Sequence, residues 1–138
     1  MIPRPDAALR MLAQRVLKTL LPDLGSAYAR SDGGMTAMLL GYLAGEMESG
    51  ISRRLADISE MRQILALARE AGLAMVDPDP DEPAALTLSA VNACHGELTV
   101  ALISLQAALE TDPCPAPDIH AAIWRYLDRH SRRHQLDQ

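Results

Sequence analysis

Between Asp32 and Leu73 the apolar residues Met35, Leu39, Leu43, Met47, Ile51, Leu55, Ile58, Met61 and Leu65 recur at intervals of three and four. That period matches one face of an α-helix and predicts a single long helix over about 32–72 with one buried stripe. Ser31 or Asp32 can cap its start, and Gly72 can end it in a left-handed turn. Unbroken, such a helix would span roughly 60 Å at 1.5 Å per residue. Ser49 and Gly50 form the pair at which it could bend.

Shorter helices account for the rest. Leu9, Leu12, Val16 and Leu20 behind Asp6 predict a helix over about 6–21, stopped by Pro22. Asp81, Glu82 and Pro83 predict the start of another over about 81–110. Its row Leu88, Val91, His95, Leu98, Leu102, Leu105 and Leu109 alternates spacings of three and four, a seam that faces partners. Asp118 opens a last helix over about 118–131, with Ile119, Ile123, Tyr126 and Leu127 on its apolar face, and 132–138 reads as a frayed tail. No segment requires a strand. The expected fold is an all-α, antiparallel bundle of four main helices in a single domain over 1–138.

Composition narrows the function classes. The chain is long enough to bury a core without disulfides or metal, and its apolar residues are mostly Ala, Leu and Met, with no Phe. A formal net charge of -5 argues against a general binder of nucleic acid or anionic membrane, which needs a basic face. The one basic patch, Arg129, Arg132 and Arg133 with His130 and His134, lies in a polar stretch and reads as a solvated helix end. The N-terminus lacks the apolar region of a signal peptide, and no uninterrupted apolar run approaches the ~18 residues of a membrane span. Cys94 and Cys114 show no CxxC spacing, so reduced thiols and a cytoplasmic location are expected.

Candidate chemistry is sparse. Ala37, Gly41, Gly45 and Ser49 place a small residue at every fourth position. Because each interior glycine costs a helix about 1 kcal/mol, this row predicts close approach by a neighbouring helix or a ligand. It is the candidate interaction face. His95 puts a titratable ring where the seam calls for an apolar side chain; it is either a hydrogen-bonded core histidine or the mark of a ligand pocket to which Gly41 and Gly45 would give room. Arg53 and Asp57, four apart, are assigned to the solvent face. His130 and His134 have the spacing of two ligands on one helical face.

Other chemistries are disfavoured. No Glu is followed three residues later by His, which excludes the di-iron bundle motif. Cys94 and His95, being adjacent on a helix, point apart and make no zinc site. Asp77, Asp79 and Asp81 imitate the start of a calcium loop, but Glu82 stands where the loop needs Gly and Leu88 where it needs Glu. Neither GxSxG nor a phosphate loop is present. No metal, cofactor or catalytic residue is therefore expected.

Tyr28-Ala-Arg-Ser-Asp32, Arg62-Gln-Ile-Leu-Ala66 and Asp118-Ile-His-Ala-Ala-Ile-Trp124 together resemble a group of small all-helical bacterial proteins. The likeness runs over most of the chain and implies the helical fold, with no activity and no site residue attached. Two functional expectations follow from the residues. The first is a non-catalytic accessory or interaction protein that self-associates, as a homodimer, through helix faces, with a further protein partner. The second is a small-molecule binder or enzyme with an apolar pocket near His95.

Overall fold

Among the described residues, 4–73, 81–111 and 113–135 of a computed structural model, every α-helix is one that the apolar pattern predicts and no strand occurs. They are α1 (Pro5–Arg15), α2 (Ala27–Glu70), α3 (Leu88–Leu109) and α4 (Pro117–Arg133). A π turn at Val16–Leu20 and a 3-10 turn at Leu21–Asp23 continue α1, so helical backbone persists past the predicted stop.

The helix ends follow from caps that periodicity does not register. Ser26 Oγ accepts a hydrogen bond from the Ala29 amide at 3.0 Å, and α2 therefore begins five residues before position 32, carrying Gly33 and Gly34 inside it. A Cβ at Gly33 would stand 3.0 Å from Leu21 Cδ1 and 3.2 Å from Leu24 Cδ1, so glycine there lets the preceding turn lie against α2. At the other end Gly72 adopts φ +75°, with the Leu73 amide donating to the Ala68 carbonyl at 3.0 Å and the Gly72 amide to that of Arg69 at 2.9 Å. This is the Schellman closure that the glycine predicts. Helix α3 starts at Leu88 and not near Asp81, because Thr87 Oγ1 receives the Ala90 amide at 3.3 Å and caps it there. Most of the acidic proline-rich stretch, 74–80, lies outside the described residues.

The chain divides into two compact units, Met1–Gly50 and Ile51–Gln138. Helix α2 is unbroken through Gly50 and contributes to both. In the first unit Arg10 of α1 pairs with Glu48 of α2, and the buried apolar residues are the alanines Ala13, Ala37 and Ala44. The predicted stripe is not buried here: Met35, Leu39, Leu43 and Met47 are 49–56% exposed. Periodicity reports amphipathic spacing and not which side finds a neighbour; the side of α2 that is covered carries Ala37 and Ala44.

The second unit has a core drawn from three helices. Ile58, Met61, Ile64 and Leu65 of α2 meet Val91, Cys94, Leu98, Leu102, Leu105 and Leu109 of α3, closed by Ile119, Ile123 and Tyr126 of α4. The seam predicted for α3 is thus the buried one, apart from Leu88 at its start and His95, which is partly exposed. Asp57 contacts His95 and Met61 contacts Thr99, so this part of α2 and α3 run in the same direction. Gln106 meets His120 across the short α3–α4 connection, and α4 runs opposite to both. Parallel neighbours need a long return between them, which accounts for the extent of the 71–87 connection. By length and average hydropathy α3 would suffice to cross a membrane, although polar residues interrupt it every few positions; in this unit its seam is core.

Candidate functional site

At one level of the second unit, three histidine rings converge on a single carboxylate. Among the described residues, Asp57 is the only polar one with a fully buried side chain, at 0% exposure. Its assignment to the solvent face is incorrect. Asp57 precedes Met61, Ile64 and Ala68 by four, seven and eleven residues, which places it on the interior row of α2 and not beside it.

The partners come from α3 and from the last turns of α4. Around Asp57 Oδ2 stand His134 Nε2 at 2.6 Å, His130 Nδ1 at 3.0 Å and His95 Nε2 at 3.5 Å. The rings of His130 and His134 lie 4.5 Å apart between centroids, and that of His95 is 6.2 Å from His130. Arg133 takes the other oxygen, Oδ1, and also bonds Glu60, which Arg129 holds from its second side at 2.7 Å. Two acidic and two arginine side chains thus neutralise one another beneath the histidines.

The electrostatics follow from this arrangement. Burial pushes the Asp57 carboxyl up, but the His134 hydrogen bond, the positive charge available on His130 and the Arg133 hydrogen bond outweigh it and hold the group below its ordinary value. Burial holds the His95 ring below its ordinary value despite the neighbouring Asp57 charge, which favours the neutral imidazole. Burial and the same carboxylate push the Tyr126 phenol upward. Nε2 of His95 is buried without a hydrogen-bond partner, while its Nδ1 faces the Thr99 hydroxyl at 3.5 Å.

The remaining predicted residues lie elsewhere. Gly41 and Gly45 belong to the first unit, and a Cβ on either would meet nothing within 4 Å, so neither answers to close approach by a neighbouring helix among the described residues. Ala37 is buried, and Ser49 donates to the Gly45 carbonyl at 3.1 Å. A cavity of about 420 Å³ in the second unit is lined by Leu55, Ile58, Arg62, Pro83 and Leu86 among others, and His95 is not part of it. The basic patch is not a free face: Arg129 and Arg133 engage Glu60, and Arg132 engages Asp128 at 3.1 Å. His134, assigned to the frayed tail, is held at Asp57.

The molecule is therefore an all-α protein whose second unit is a three-helix assembly with a buried carboxylate and three imidazoles near one end. Comparison with protein-family models, curated proteins and solved structures found no match.

Proposed function

We propose that the chain is a non-catalytic helical interaction protein that forms a homodimer through its first unit. The observation that carries this reading is the uncovered apolar face of α2. Met35, Met38, Leu39, Tyr42, Leu43 and Met47 are each 45–56% exposed, while the apolar residues buried in that unit are alanines. Met11, Leu12, Leu17 and Leu20 add further apolar surface, 47–67% exposed. Half of ten large side chains is on the order of the ~800 Å² that each partner buries in a stable interface.

Charge favours a second copy as the occupant. Residues 1–50 contain five basic and five acidic side chains, so the whole formal charge of -5 resides in 51–138. A neutral unit meeting its own copy encounters no net repulsion, and an isologous pairing closes the assembly at two. A further protein partner and a cytoplasmic setting accord with this reading.

The test is sedimentation velocity on the intact, untagged chain at about 10 µM, a concentration at which a micromolar dimer is populated. The wild type should sediment as a dimer. The double variant Met38→Glu, Leu43→Glu should sediment as a monomer with its helical circular dichroism retained. A wild type that stays monomeric up to about 100 µM would overturn the reading.

A further inference from the structure

The carboxylate and the three imidazoles have a geometry that hydrogen bonding alone does not satisfy. A carboxylate oxygen offers two lone-pair directions, yet three ring nitrogens stand within 3.5 Å of Asp57 Oδ2. Arg133 occupies the other oxygen. One nitrogen must go without, and His95 Nε2 is the one: buried, aimed at the cluster and unpartnered.

The same spacing suits a metal ion. Donors bound at about 2.0–2.1 Å to a tetrahedral ion stand about 3.3 Å from one another. The three separations from Oδ2, 2.6, 3.0 and 3.5 Å, bracket that edge. The donor atoms of Asp57, His130 and His134 all lie within 4.8 Å of one another. His130 and His134, four apart on α4, present their rings from one face, and His95 and Asp57 come from two other helices. The orienting contacts around these donors are also in place: Arg133 on the second Asp57 oxygen, and Thr99 opposite the far nitrogen of His95.

We propose that Asp57, His130 and His134 bind one divalent transition-metal ion with tetrahedral preference, Zn²⁺ by the chemistry of the donor set, and that His95, outside this three-donor cluster but with Nε2 3.5 Å from the same Asp57 oxygen, closes in as the fourth donor. Three imidazoles and one carboxylate suit a borderline-soft ion and not calcium or magnesium, which require mainly oxygen. With His95 drawn in, four protein donors complete the tetrahedron and the site is structural: the ion ties the end of α4 to α2 and α3 and leaves no position for substrate. Asp57 and Glu60 are balanced in charge by Arg129 and Arg133, so the affinity comes chiefly from the imidazole donors. This inference stands independently of the dimer.

The experiment uses the untagged full-length chain, stripped by chelator and titrated with Zn²⁺ against a chromophoric competitor. One ion per chain is expected, with Kd below about 10 µM, and excess Zn²⁺ should raise Tm by at least about 5 °C. Cobalt(II) should give the intense visible absorption of four-coordinate geometry. His130→Gln and His134→Gln should each weaken binding by at least ~10-fold. His120→Gln, whose ring serves Trp124 and Gln106, should leave it unchanged. Circular dichroism of each apo variant checks that the helices persist; were either α4 variant to unfold, His95→Gln would take its place with the same expectation. Failure to bind Zn²⁺ below about 100 µM, or binding that survives these substitutions, would overturn the site.

Discussion

His134 Nε2 lies 2.6 Å from Asp57 Oδ2 across 77 residues of chain. The contact joins the end of α4 to the interior row of α2, in a unit whose other cross-helix contacts are mostly apolar. Asp57→Ala would leave Arg133 and the histidines facing a void without their anion. A loss of about 3 kcal/mol is expected, because removing one partner of a buried ion pair strands the other. Urea unfolding of wild type and variant measures it. Asp57→Asn, which keeps an acceptor oxygen in place, should recover part of the loss.

Glu60 gives a pH dependence with a definite sign. Burial pushes its carboxyl up, but hydrogen bonds from Arg129 and Arg133 outweigh burial and hold it below its ordinary value of 4.5. A carboxyl with a lowered folded value binds fewer protons folded than unfolded. Its stabilisation is complete above pH 4.5 and is lost as pH falls through the lowered folded value. The Glu60→Gln chain should therefore be less stable at neutral pH and should lose less on acidification. Unfolding midpoints from about pH 6 to about pH 3 test both halves of the statement.

Two glycines on one helix should respond to the same substitution by different amounts. At Gly33 an added methyl would press on the Leu21 and Leu24 Cδ1 methyls at 3.0 and 3.2 Å, which offsets the helix-propensity gain, and Gly33→Ala should stabilise less than Gly41→Ala. At Gly41 nothing lies within 4 Å, and Gly41→Ala should stabilise by up to about 1 kcal/mol through helix propensity. Thermal unfolding of the pair reads the contrast directly. A response at Gly33 equal to that at Gly41 would show that the Leu21 and Leu24 contacts cost nothing.

The periodicity of the apolar residues determined that the protein is helical, how many long helices it has and which row of α3 is buried. Local chemistry decided the termini where a cap was visible, as at Gly72, and the pattern misplaced them where a better cap lay nearby, as at Ser26 and Thr87. The polar residues of the site were visible too, for Asp57, His95 and His130 each extend an apolar row by a spacing of three or four. That three rows each carry one polar residue was a signal available without coordinates. What periodicity cannot contain is the relative level of the helices. Placing Asp57, His95 and His130 at one height requires α2 and α3 to run in the same direction with α4 reversed, an outcome of how the three seams fill one another's gaps. The same holds for the stripe of α2: spacing made it amphipathic from Met35 to Leu65, but only tertiary packing decided that it is covered beyond Gly50 and bare before it.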